Sequence, residues 1–327
     1  MKHIFVLNPA AGNGKLAKAL HPKIIDICKK NNVDYEIHRT VSLGDARNYT
    51  KKRCDEIGDI PIRFYSCGGD GTVNEVLNGL AGIDGVELAV IPVGTGDDFV
   101  RNFSNRELFL DLEAQFHGET KKIDAIEYEF LELSDEEKEE YEEAGIKIKG
   151  HALNMFNFGF DAQAVSKASH YKKMPLMSGT MSYIAGVLNV LAKMRSINMT
   201  IEFGDGEVKT EDFLMIGITN GRFSGGGFDG SPQARINDGL LDITTVKKVT
   251  RRFFLSFIKS YHDGTHIDNP KVTKIYSHYQ CKEAVLKPVE KVIMAIDGET
   301  VVTGPMKFTV KEKLIDLVIP QGVEFLN

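Results

Sequence analysis

The stretch Tyr65-Ser66-Cys67-Gly68-Gly69-Asp70-Gly71-Thr72-Val73-Asn74-Glu75-Val76 limits what this chain can become more than any other. Ile62 to Tyr65, just before it, is short and β-prone. Val73, Val76, Leu77 and Leu80 follow at i, i+3, i+4 and i+7, the apolar stripe of a helix laid on a core. The glycines therefore occupy a strand-to-helix turn, where they let backbone approach a ligand without a Cβ between. A helix start also presents free N–H groups, which suits an anion. That contribution is about 0.3–1 kcal/mol. Holding a nucleotide at millimolar Kd takes about 4 kcal/mol, so other loops and a cation must help. Asp70 is repulsive to an anion unless a metal or a proton mediates.

Two more turns of the same kind follow predicted strands. Ile4–Leu7 leads into Asn8-Pro9-Ala10-Ala11-Gly12-Asn13-Gly14-Lys15 and then a helix-like Leu16–Lys30. This turn is not a Walker A loop: one residue separates its glycines, and Leu16 follows the lysine. Glu87–Pro92, apolar almost throughout like a strand buried on both faces, leads into Val93-Gly94-Thr95-Gly96-Asp97-Asp98-Phe99. With a strand over Asp34–Thr40 and a helix over Gly44–Ile57, strands and helices alternate as in a doubly wound, mostly parallel α/β sheet. Ligands of such sheets bind beyond the carboxyl ends of the strands, where three turns can converge.

Beyond Asp124 the pattern changes to strand runs at Ile123–Leu131, Ile146–Phe158, Met199–Phe203, Phe213–Thr219, Leu241–Val246, Ala284–Leu286 and Val292–Ile296. This predicts a mainly β, sandwich-like second domain. Glu132–Glu143 reads as a solvated turn or short helix. Pro175–Met194 carries an apolar helical stripe flanked by Lys172, Lys173, Lys193 and Arg195. It reads as a helix packed on the β layer or one that meets a lipid surface. Gly221–Asp242 is a glycine-rich loop ending in Asp238-Gly239-Leu240-Leu241-Asp242. Asp238-Gly239 there fits either a cation held by oxygens or a tight turn. Asp297-Gly298-Glu299 fits either a hairpin turn or a general base. Lys313–Pro320 reads as a last strand.

A chain of 327 residues with 42% apolar and 26% charged residues fits two globular domains. The net charge of −6 argues against nucleic-acid binding. Cys28, Cys54, Cys67 and Cys281 have no metal or disulfide spacing, so reduced cytoplasmic thiols are expected. No signal peptide and no membrane span is read.

Together these stretches resemble the diacylglycerol kinase catalytic family, which includes soluble bacterial lipid kinases and the sphingosine and ceramide kinases. The likeness runs from Asn8-Pro9-Ala10-Ala11-Gly12 through Gly68–Glu75 and Gly94–Phe99 to Asp238–Asp242 and Asp297–Glu299. It implies an ATP- and Mg²⁺-dependent lipid kinase, most simply of diacylglycerol. Residues 1–124, joined by the tail 306–327, would form the nucleotide domain, and 125–305 the lipid-substrate domain. Nucleotide contacts are implied at Asn8, Pro9, Ala10, Ala11, Gly12, Thr40, Gly69, Asp70, Gly71, Thr72, Val73, Asn74, Glu75 and Thr95. Asp70, Asp98 and Asp124 would tie the nucleotide's Mg²⁺ to the protein. A structural Mg²⁺ is implied at Asp238 with the carbonyls of Arg235 and Leu240. Asp297 would be the base, with Glu299 its partner or substitute. The family usually has Asn where Asp97 stands, and the acidic insert at 132–143 is longer than usual. Peripheral membrane association is implied; a homodimer stays open. The rivals are a kinase of a soluble substrate such as NAD, and a non-catalytic nucleotide-binding module.

Overall fold

A computed structural model describes residues 1–326 apart from 59, 173–178, 297 and 298. The side chains of 13, 169, 172, 179–184 and 299 also lie outside the description. The chain forms two compact units, Met1–Ala125 with Glu312–Asn327, and Ile126–Lys311.

The first unit alternates strand and helix: β1 (Lys2–Leu7), α1 (Lys15–Lys30), β2 (Tyr35–Arg39), α2 (Asp45–Ile57), β3 (Ile62–Gly68), α3 (Asp70–Leu80) and β4 (Val86–Pro92). A short helix α4 (Leu112–Phe116) precedes β5 (Glu119–Phe130), which leaves the unit. The strands stand in the order β2, β1, β3, β4, all parallel. The end of β17 (Met306–Ile319) adds to β4, also in parallel, through Asp316↔Glu87 and Leu317↔Leu88. This is a doubly wound sheet whose order reverses between β1 and β3, the switch point at which such sheets take ligands. α1 buries Ala17, Leu20, Ile24 and Cys28 against Phe5, Leu7, Tyr65, Cys67, Ala89 and Ile91.

The second unit is antiparallel and mainly β. Its elements are α5 (Asp135–Glu143), β6 (Lys149–Ala152), β7 (Met155–Gly159), α6 (Phe160–Lys172), α7 (Gly179–Lys193), β8 (Ile197–Phe203), β9 (Val208–Thr219), β10 (Phe223–Ser224), β11 (Phe228–Asp229), β12 (Leu241–Lys247), α8 (Arg251–His262), β13 (Tyr276–Cys281), β14 (Glu283–Pro288), β15 (Val292–Ile296) and β16 (Glu299–Thr303), before β17. β9 is its hub, pairing with β7, β8 and β12. Phe156, Phe158, Ile216, Ile218, Ile243 and Phe308 fill one core.

The structure departs from expectation in the run 146–158 and in two helices, and it decides between the two readings of the acidic insert. The run 146–158 is two strands, because the Asn154 carbonyl turns aside to accept the N–H groups of Asn220 and Gly221. Of the two readings of the acidic insert, the short helix is the one found. It is helix α5, opened by a reciprocal Ser134–Glu137 capping box and anchored where the Tyr141 hydroxyl donates to the Val302 carbonyl at 2.5 Å. The helices α6 and α8 were not expected at all.

Candidate active site

The turns after β1, β3 and β4 meet backbone to backbone. Gly12 is left-handed at φ +57°, and a Cβ there would sit on the Val93 carbonyl oxygen. A Cβ on Gly94 would lie 2.5 Å from the Gly69 Cα and 2.5 Å from Asp97 Oδ1. Only residues without a Cβ allow this approach. Asn8 links two of the turns. Its Oδ1 accepts the Ala10 N–H at 3.0 Å, and its Nδ2 donates to Thr72 Oγ1 at 3.1 Å. The Gly69 carbonyl accepts the Thr72 and Val73 N–H groups and so opens α3.

Asp70 does not face an anion bare. Its Oδ2 accepts the Asp98 N–H and its Oδ1 the Phe99 N–H, both at 3.1 Å. These bonds lash the β3 turn to the β4 turn, and they supply the donors that a carboxylate taken out of water requires. Burial nevertheless pushes its pKa up against them. Asp97, left-handed at φ +50°, accepts the Gly94 N–H at 3.1 Å. Burial, then the charge of Asp70, pushes its pKa up to about 7. Asp98 pairs with Arg101 at 3.2 Å. Three carboxylates thus crowd one corner of the site.

Glu75 bridges away from the turns. Its two oxygens accept the Gly44 N–H at 2.8 Å and the Ala46 N–H at 3.1 Å, holding the start of α2. That clamp positions the loop after β2, where Thr40 donates its N–H to Leu7 O at 3.0 Å. Pro9, Ala10, Gly71 and Thr95 are exposed. Val73 is not: it is 4% exposed and belongs to the core-facing stripe of α3. Asp124, 1% exposed, accepts the Lys313 N–H at 2.7 Å and so joins β5 to β17.

In the second unit Asp238 Oδ1 accepts the Leu240 N–H at 3.1 Å, closing a turn around Gly239 at φ +77°. The Arg235 guanidinium donates to the carbonyls of Pro232 and Ala234. Asp297 lies outside the described residues, as does the side chain of Glu299. β15 and β16, on either side, pair antiparallel through Ile296↔Glu299. Among the described residues no three His, Cys, Asp or Glu side chains converge as a metal cage. Sequence reasoning missed the clamp by Glu75 and the lashing by Asp70. The acids were visible, but their N–H partners come from backbone 29 or so residues away.

A switch-point cradle of glycine turns at the ends of parallel strands is the ligand-binding end of a doubly wound α/β protein, of a shape suited to phosphate groups. The comparisons make that class particular. Residues 2–128 match the diacylglycerol kinase catalytic domain, and residues 154–319 the YegS C-terminal NAD kinase beta sandwich-like domain. The chain is 25% identical over 319 residues to "Diacylglycerol kinase" of Bacillus subtilis (strain 168), covering 97% of this chain and 95% of that protein. It is 24% identical over 287 residues to "Probable lipid kinase YegS-like" of Alcanivorax borkumensis, covering 87% and 86%. A crystal structure of a diacylglycerol kinase from Bacillus anthracis str. Sterne shares the fold, with a TM-score of 0.65 at 21% identity over 98% and 97% of the two chains. The chain belongs to the diacylglycerol kinase catalytic family and is a lipid kinase phosphotransferase. A kinase family implies ATP as donor. Among the described residues no helix is long and apolar enough to cross a membrane.

Proposed function

We propose that the protein transfers the γ-phosphoryl group of ATP to the free hydroxyl of diacylglycerol, with Mg²⁺, giving phosphatidic acid. The meeting of the Gly12, Gly69 and Gly94 turns at the sheet's switch point, in a chain of this family, carries the reading. The turns cradle the phosphates, and the clamped start of α2 borders the nucleotide. Phosphoryl transfer needs positioning and charge neutralisation more than covalent help, so backbone and carboxylates suffice.

The donor set fits Mg²⁺. A Cβ on Gly96 would lie 3.3 Å from Asp70 Oδ2 and 3.9 Å from Asp98 Oδ2, so the two acids flank one point. Mg²⁺ is commonly held by one or two carboxylates plus substrate phosphates. When bound, the ion would neutralise the transferring phosphates. Asp124, engaged inside the sheet, supports a framework role better than a metal-linked one. A second, structural Mg²⁺ at Asp238, Arg235 and Leu240 rests on the resemblance alone, as does Asp297 as the base.

In the reaction the lipid oxygen bonds to the γ-phosphorus, the bond to ADP breaks, and the hydroxyl proton passes to Asp297, with Glu299 its partner or substitute. Labelled ATP offered with diacylglycerol, other lipid alcohols or NAD in mixed micelles tests the reading. Label in phosphatidic acid is expected; label only in another product refutes the assignment. Asp297→Ala should abolish transfer with the fold intact, and substantial residual activity would discard Asp297 as the base. Acting on a membrane lipid, the protein would bind bilayers peripherally.

A further inference from the structure

Two stretches of the second unit, residues 162–201 and 243–262, contain no acid. They hold 10 of the 40 Lys and Arg residues and none of the 46 Asp and Glu, in a chain of net charge −6. Charge segregated in this way makes a local positive field rather than general solubility.

The fold brings these two stretches together. Arg251, in the first turn of α8, donates Nε to the Leu191 carbonyl at 3.0 Å and its guanidinium also to the Ala192 carbonyl, capping the last turn of α7. Behind this junction Val190, Leu191 and Met194 pack with Phe254 and Phe257. Leu188, one turn before it, is 59% exposed, and Leu255, one turn after it, is 55% exposed. Lys193, Arg195, Lys248 and Arg252 flank the junction in sequence and are exposed. None of the four pairs with an acid among the described residues. Their neighbours Lys247 and Lys259 are neutralised by Glu211 and Asp263.

We propose that the α7–α8 junction is the surface by which the protein docks on anionic phospholipid bilayers. The two leucines enter the interface and the four cations meet headgroup phosphates. α8 thereby becomes half of the docking face. A second copy of the chain would set these charges against themselves. A nucleic acid would use the charges but leave the leucines in water. The biological sense of the proposal rests on the lipid-kinase reading; bilayer binding itself needs no catalysis.

The test uses the full chain and vesicles of phosphatidylcholine, alone or with equal parts phosphatidylglycerol, without diacylglycerol or nucleotide. Sedimentation should show binding only to the phosphatidylglycerol vesicles, fading with salt. Lys248→Glu with Arg252→Glu should weaken it at least about 25-fold, at about five-fold per charge removed. Leu188→Ser with Leu255→Ser should also weaken it, whereas Lys23→Glu with Lys51→Glu on the first unit should not. Should the double charge variant misfold by circular dichroism, Arg252→Gln alone should still cost about five-fold. Transfer to a dispersed short-chain diacylglycerol should be the same in parent and variants. If the parent itself fails on that substrate, the kinase reading falls while the vesicle results still stand. Equal binding to neutral vesicles, unchanged binding by the Lys248/Arg252 variant, an equal loss in the Lys23/Lys51 control, or tighter binding to duplex DNA would overturn the docking face.

Discussion

Glu75 offers the sharpest test of the site, because two roles predict different data. Its carboxylate accepts two N–H groups from the start of α2, at 2.8 and 3.1 Å. A hydrogen bond to a charged group contributes about 1.5–3 kcal/mol. An acid at a helix start adds about 0.3–1 kcal/mol. Glu75→Ala removes both bonds and the charge, so roughly 3 kcal/mol should be lost, with allowance for water replacing part of the bonding. Glu75→Gln keeps one accepting oxygen and should lose about half as much. At about 2–4 °C per kcal/mol for a domain of this size, the alanine variant should melt about 6–12 °C lower. Calorimetry gives the melting shift, hydrogen exchange the protection of the first-turn amides of α2, and steady-state kinetics the KM for ATP. Melting and exchange should change most, with a KM increase that ATP saturation overcomes. A shift under about 1 °C combined with a large KM increase would refute the clamp and make Glu75 a nucleotide ligand.

Other outcomes follow from the same geometry. Gly94→Ala should push the β4 turn off Gly69, costing about 1–3 kcal/mol and lowering ATP affinity, read by calorimetry with and without nucleotide. Asp97 binds its proton more tightly folded than unfolded, so its stabilising effect is complete below about pH 4 and is lost as pH rises to about 7. Asp97→Asn should flatten that fall and gain up to about 4 kcal/mol at pH 8 without metal; an unchanged slope in a pH series of melts rejects the buried charge. Arg222→Met should strand the buried carboxylate of Asp229, bonded at 2.6 Å, and destabilise the second unit by about 3–5 kcal/mol in urea titration.

Much of the first unit was legible because its periodicities are local. Ile4–Leu7 is a continuous apolar run and Glu87–Pro92 a near-continuous one, and the Val73–Leu80 stripe is unmistakably helical. The glycines of three turns announced close backbone approach, and Gly12, Gly69 and Gly94 make it. What the acids do was not legible. Asp70, Glu75 and Asp124 each satisfy backbone N–H groups that only the folded chain brings near. Val73 lies within the motif, and its helical phase points its side chain to the core. α8 is hard to read from sequence because its Phe253-Phe254 pair and Ile258 resemble a strand unless the Phe254–Phe257 spacing is weighed. The capping box at Ser134–Glu137 is what decides for a short helix over a turn in the acidic insert.

The parallel partnership of β17 with β4 has a consequence for biosynthesis. Asp316 sits opposite Glu87, so a ribosome must make the whole second unit before the first unit receives its last strand. Closing a loop that long is slow, and until then the outer side of β4 presents unsatisfied peptide groups to the cell. A fragment ending at residue 125 should therefore aggregate, and supplying residues 306–327 as a separate peptide should rescue it.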